Sequence, residues 1–345
     1  MTMTSRIGVS MPMLNQPYEK YPELARLADE AGFHSLWDYE FYRNPFVTHA
    51  LCARVTENIK LGTGIAAASG RAPNEMANAA ADVDELSNGR TILGLSTGGA
   101  GWADCYNGTE VDHPLTRMRE YIHVVRSVWQ HHSSGEPFEF SGRFYKAKSP
   151  PFNTFGVRQQ LARPKIPIYL AALKSKMLQM AGETAEGVLG YLWTPSYIKD
   201  YVLPNVALGA RKAGRNPTDV DVASLVLCSV NPDRKIAQRI ARINVGMYVA
   251  TPGGETVSEF MGLGDERKAL LKALMTDGLA ALERTTSDAL VRHFSICGTP
   301  DEAREQLAEY HGLLPHIILH TPYVPPIQQR ESEVAFRTMV TSLGP

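Results

Sequence analysis

A chain of 345 residues that is 44% hydrophobic and 21% charged can bury a sizeable core, which excludes a largely disordered protein. Its 35 Lys and Arg against 36 Asp and Glu leave a net charge of -1, so no bulk field attracts nucleic acid or an anionic membrane, and a small-molecule partner is expected. Cys52, Cys105, Cys228 and Cys297 stand far apart, with neither a CxxC pair nor histidine spacing for zinc, and the chain shows no signal-peptide pattern and no run of ~18 uninterrupted apolar residues. Free thiols, no bound metal and a cytoplasmic location follow as expectations.

Ile7 to Ser10 reads as a first strand, and Tyr21, Leu24, Ala25, Leu27, Ala28 and Ala31 as a helical stripe ended by Gly32. His34 to Trp37 makes a second strand that opens into a loop of polar and aromatic residues, Asp38 to Pro45, and Phe46 to Val55 is helical. The stretch from Leu61 to Gly101 then runs strand, loop, helix, strand, loop. The run 59–65 ends in glycines. Met76, Ala77, Ala80, Ala81, Val83 and Leu86 follow helical spacing up to Asn88-Gly89. Thr91 to Leu95 is again apolar and opens into Ser96-Thr97-Gly98-Gly99. This is one βαβ unit, and glycine loops at the carboxyl ends of parallel strands are where such folds place ligands.

A helix with Pro114 near its start carries Met118, Tyr121, Ile122, Val125, Val128 and Trp129 on one face. Residues 133–165 break the rhythm as a loop and hairpin insertion turning at Ser141-Gly142. Strands at 166–170, 187–191 and 220–230 alternate with helices at 175–184 and 198–213, and a helix at 233–249 leads into a helical insertion over 251–293 with no strand in it. Thr299 caps a helix over 300–310, His316 to His320 is an eighth strand, and a last helix covers 331–343. Eight strands alternating with helices predict a single α/β domain over 1–345, a closed (β/α)8 TIM barrel with insertions.

At this point the motifs SLWDYEFYRNPF (35–46), IKLGTGI (59–65), DELSNGRTILGLSTGG (84–99), PLTRMREYIHVVR (114–126), IPIYLAALKSKMLQMAGETAEGV (166–188) and ICGTPDEAREQL (296–307) resemble the bacterial luciferase-like superfamily of flavin and deazaflavin enzymes. Within it the chain is most similar to the coenzyme F420-dependent branch that includes methylenetetrahydromethanopterin reductase-like proteins. The resemblance implies F420, or alternatively FMN, lying across the carboxyl ends of the strands. Gly64-Ile65 matches the place of a non-prolyl cis peptide that forms a bulge behind the cofactor ring, and Thr97 and Gly98 match the loop along its side chain. Ala172, Leu173, Lys174, Ser175, Lys176 and Met177 match the segment that holds its phosphate. A helix N-terminus with two lysines suits that anion.

The chain also departs from its relatives. Lys174-Ser175 stands where they commonly have Gly-Pro, and Glu40-Phe41 and Gly99 stand where the sugar-phosphate dehydrogenases of the superfamily have a catalytic His and Glu. Taking hydride from an alcohol needs a base for the hydroxyl proton, and Phe41 cannot titrate, so reduction of a C=N or C=C bond is expected instead. Glu40 is the candidate proton donor; its alternative role is to bond the ring edge or pair with Arg43. Trp37, Phe41, Trp102 and Trp193 are candidates for an apolar substrate wall. His113 beside Asp112 is a further residue that could touch substrate, and a homodimer is expected. The rival readings are an FMN-dependent monooxygenase and a cofactor-binding barrel without turnover.

Overall fold

The computed structural model describes residues 5–12, 16–41, 43–98, 112–150 and 159–345. Its core is a ring of eight parallel strands: β1 Arg6–Ser10, β2 Ser35–Asp38, β3 Lys60–Thr63, β4 Thr91–Ser96, β5 Ile168–Ala171, β6 Gly187–Tyr191, β7 Asp221–Val230 and β8 His316–His320. Each pairs with the next in chain order, and β8 pairs with β1 to close the barrel. These are the eight strands that the sequence pattern predicts. Their near-continuous apolar runs follow from burial on both faces, toward the barrel interior and toward the outer helices.

Side chains alternate along each strand. Trp37, Ile92, Tyr169, Leu189, Ala223, Leu225 and Ile318 pack together in the barrel interior, while their strand neighbours, such as Leu36 and Leu93, join the larger cluster beneath the helices. Trp37 takes space that two glycines leave open. A Cβ on Gly62 would lie 2.5 Å from its ring, and one on Gly94 would lie 1.8 Å from the Thr63 carbonyl oxygen and 3.5 Å from the ring.

The hairpin in the 133–165 insertion is present as Glu139–Ser141 paired antiparallel to Lys146–Lys148. Its turn is held by Glu120, whose carboxylate accepts from the amides of Arg143, Phe144 and Tyr145. Helices Pro252–Phe260, Gly264–Asp277, Ala281–Thr285 and Asp288–Phe294 form the second insertion. They lead into a strand that the periodicity does not predict, Ser295–Gly298, which pairs with the far end of β7 outside the closed ring. Four residues are too few for period-2 alternation to stand out. The helix expected over 198–213 begins instead as a π-helical turn, Ile198–Val202, and continues as Leu203–Lys212. Pro204, which has no N–H to donate, sits at that junction.

The helix Ser175–Thr184 packs against Leu203–Lys212 through glycines. A Cβ on Gly182 would lie 2.1 Å from the Val206 carbonyl oxygen, and one on Gly209 would lie 1.8 Å from that of Gln179. Gly209→Ala is therefore expected to force the two helices apart and cost about 1–3 kcal/mol, read as a lower urea midpoint at unchanged slope.

At the amino-terminal end of the barrel, Asp221 accepts hydrogen bonds from Arg6 and Tyr169 and lies 3.4 Å from His316 Nδ1. Burial alone would push its carboxyl up, but His316, the Arg6 charge and the Tyr169 hydroxyl outweigh burial and hold it down at about 2. A depressed carboxyl stabilises the fold fully above its unfolded value of about 3.9, and that contribution is lost as pH falls through the folded value. Asp221→Asn should cost about 2 kcal/mol at neutral pH. The gap to the wild type, measured by urea unfolding, should close between about pH 4 and pH 2.

Candidate active site

In a parallel barrel the ligand sits at the carboxyl ends of the strands. Here that end carries Ser10, Tyr39, Ile65, Thr97, Tyr191 and His320. The Gly64-Ile65 peptide bond is cis. It is braced by the loop after β2, since Gly64 N–H donates to the Asp38 carbonyl at 2.7 Å and Glu40 N–H donates to the Ile65 carbonyl at 3.1 Å. Asp38 itself is fully buried, and burial pushes its carboxyl up to about 6 against hydrogen bonds from Thr48 and the Tyr39 amide.

Glu40 follows directly. One of its oxygens accepts from Arg71 Nη1 at 2.5 Å and the other from the Ala67 amide at 2.7 Å, and both side chains of the ion pair are more than four-fifths buried. The pairing with Arg43 is corrected: Arg43 donates to the Gln16 carbonyl and lies over the Tyr18 ring. Both Glu40 oxygens thus already accept a hydrogen bond within the protein.

Gly98 adopts a positive φ of 82° and donates to Ser96 Oγ at 2.9 Å. A Cβ there would lie 2.5 Å from Ser69 Oγ, which is itself buried without a hydrogen-bond partner. Ser69, Arg71, Thr97, Arg117 and Tyr145 line a cleft of about 380 Å³ beside this loop. At the candidate phosphate segment, Lys174 caps the helix Ser175–Thr184, and the Lys174 and Lys176 side chains are exposed. Three of its amides are already engaged: Ala172 with the Leu189 carbonyl, Ser175 with the Tyr201 hydroxyl and Met177 with the Lys174 carbonyl. The Leu173 carbonyl accepts from the Tyr197 hydroxyl. An anion here would also meet the two exposed ammonium groups.

Two of the four residues expected in the aromatic wall, Trp37 and Trp193, lie in the core. Trp37 is fully buried in the barrel interior with its indole N–H on Ser35 Oγ, because the alternation of β2 turns it inward. Trp193 is 2% exposed and packs against Gly190 in the layer between barrel and helices. Both are core residues. Phe41 is exposed in the loop after β2, and Trp102, Cys105 and Gly99 lie outside the described residues. His113 is exposed, bonds Asp112 and packs against Phe144 of the hairpin loop. No group of metal-binding side chains occurs among the described residues, and no helix among them is long and apolar enough to cross a membrane.

The motif reading does not pick out a cluster on the opposite side of the mouth. The His320 imidazole, 1% exposed, lies between the rings of Tyr39 and Tyr323, with Tyr248 edge-on to it and Tyr191 edge-on to Tyr248. Burial pushes the imidazole down to about 4, so it is neutral at physiological pH. A histidine at the carboxyl end of the eighth strand was a legible signal. Its partners, some 70 and 280 residues distant, were not.

Known proteins share this architecture. The profile of the luciferase-like monooxygenase family matches residues 2–316. The chain is 32% identical over 301 residues to the 5,10-methylenetetrahydromethanopterin reductase of Methanolobus tindarius, covering 86% of this chain and 87% of that protein. Among solved structures, the coenzyme F420-dependent tetrahydromethanopterin reductase of Methanopyrus kandleri superposes with a TM-score of 0.79 at 24% identity, covering 98% of each chain. The FMN complex of 3,6-diketocamphane monooxygenase from Pseudomonas putida superposes at 0.71 with 17% identity, covering 99% of this chain and 98% of that one. With its closed parallel barrel and a family match over nine-tenths of its length, the chain belongs to the luciferase-like monooxygenase family.

Proposed function

We propose that the chain is an F420-dependent oxidoreductase that reduces a C=N or C=C bond of a small organic molecule. The observation that carries this reading is the cleft beside Gly98 at the mouth of the barrel, on a chain nearly one-third identical to methylenetetrahydromethanopterin reductases. The site fits the cofactor on two further counts. The unpartnered Ser69 Oγ beside Gly98 is an orphaned donor in the cleft where the cofactor side chain would run, and Lys174 and Lys176 stand unpaired by any described carboxylate where its phosphate would lie.

When bound, the deazaflavin supplies or accepts a hydride. The protein's part is alignment and exclusion of water. Gly64 and Ile65 would back one face of the ring, Thr97 and Gly98 would flank its side chain, and the 172–176 segment would hold the phosphate. Glu40, held by Arg71 and the Ala67 amide, would accept at the ring edge; this is favoured over its alternative role as an acid. Phe41 and Trp102 are the remaining candidates for the substrate wall. A second reading, FMN-dependent oxygen activation, is kept open by the likeness to an FMN-containing monooxygenase.

Titration of the purified apo-protein with F420 and with FMN under one buffer condition should give the tighter Kd for F420. Tighter FMN binding would redirect the reading to oxygen chemistry. Glu40→Gln should weaken F420 binding about 10-fold, as loss of a charged hydrogen-bond acceptor implies, while leaving the rate of hydride transfer at saturation within a few-fold. A saturated rate lowered by about 100-fold or more, at unchanged affinity, would restore the acid role.

A further inference from the structure

The hydrogen-bonded cluster around His320 takes no part in the contacts proposed above, yet its geometry sets which group carries which proton. The Thr321 carbonyl can only accept, so His320 Nδ1, 3.0 Å away, carries the ring hydrogen. That leaves Nε2 to accept from the Tyr248 hydroxyl at 2.8 Å, and Tyr248 in turn lies 3.1 Å from the Tyr323 hydroxyl. The tautomer is thus assigned from the network.

Tyr39 is placed at the working end of this arrangement. Its phenol oxygen lies 3.2 Å from Nδ1 and also bonds Ser10. Ser10 Oγ accepts from the Thr321 amide at 2.9 Å, so its own hydrogen is available to Tyr39. With the Ser10 hydroxyl donating to its oxygen and the protonated His320 Nδ1 unable to accept from it, Tyr39 keeps its own proton for an acceptor in the mouth. The ring packs with Ile65 and Tyr191 on top of the barrel-interior cluster, beside the cis bulge. Burial pushes its phenol up, and the Ser10 bond opposes that.

We propose that Tyr39 is the proton donor of the reduction, and that His320, held by the Thr321 carbonyl as the Nδ1–H tautomer, is the positioning residue that holds the resulting phenolate. This rests on the oxidoreductase reading. The substrate carbon takes the hydride with its electron pair and is reduced as the deazaflavin is oxidised. The π pair moves onto the nitrogen or the adjacent carbon, which takes the Tyr39 proton as the phenol O–H bond breaks. The phenolate accepts from the Ser10 hydroxyl and shares the His320 Nδ1–H with the Thr321 carbonyl, and recovers its proton from water once product leaves.

Two measurements decide it. In ¹⁵N-labelled apo-protein, the imidazole signals assigned to His320 by their loss in His320→Gln should show a neutral Nδ1–H ring at neutral pH, and should still do so in Tyr248→Phe, where the Thr321 carbonyl remains. A dominant Nε2–H ring in the wild type would overturn the proposal. With reduced F420 and 1-pyrroline or cyclohex-2-enone as probe, Tyr39→Phe should keep the F420 Kd within about two-fold. It should also slow deazaflavin oxidation about 100-fold and abolish the solvent deuterium effect seen in the wild type. A Tyr39→Phe enzyme with wild-type rate and solvent effect refutes the proton donor while leaving the oxidoreductase reading intact. A wild type that binds no F420 refutes that reading, and this proposal with it.

Discussion

Trp37 in the barrel interior is the contact on which the site depends. A closed barrel of eight short strands must fill its interior with side chains, and one indole here occupies the share of several positions, with Gly62 and Gly94 on the two following strands giving way to it. The same ring lies under Gly64, whose Cβ position is 3.3 Å from it, so the packed core is also the floor of the cis bulge. A smaller residue at this position would leave a void directly beneath the candidate cofactor face.

Above that floor the mouth divides by charge. On one side Glu40, Arg71, Arg117 and the exposed lysines at 174 and 176 make a polar margin suited to an anionic cofactor tail. On the other, Tyr39, Tyr248 and Tyr323 pack around a neutral, buried histidine, with Tyr191 against Tyr248, and hydrogen bonds join His320 to Tyr39 and Tyr248 and Tyr248 to Tyr323. A buried network of this kind fixes proton positions because each group has few alternative partners. Its closing bonds, from the Thr321 amide and hydroxyl to Ser10, join the last barrel strand to the first across more than 300 residues of sequence. Barrel closure and the geometry of the tyrosine cluster are therefore one event.

Supporting pieces stand further out. Arg90, nearly buried, donates to the carbonyls of Ala53, Thr56, Ile59 and Ser87, and so ties the ends of two helices to the start of β3. The glycine contact between the helices Ser175–Thr184 and Leu203–Lys212 sets the height of the lysine-bearing helix N-terminus above the barrel. Neither touches the mouth, and both determine where its loops begin.

By itself the sequence determined the eight barrel strands, most helices and the place of the cis bulge. Strand runs, helical stripes and glycine punctuation are local patterns, and the family motifs lie in unbroken stretches. What it could not determine is which way a large side chain points and which distant group it meets. Trp37 and Trp193 carry the composition of a substrate wall, yet strand alternation and a neighbouring glycine draw both into the core. Glu40 met Arg71 rather than the nearer Arg43, since the 66–71 segment lies against the loop after β2. The tyrosine and histidine cluster exists only once β8 closes on β1. Proton positions at this mouth depend on contacts made across the whole chain, and only the folded barrel supplies them.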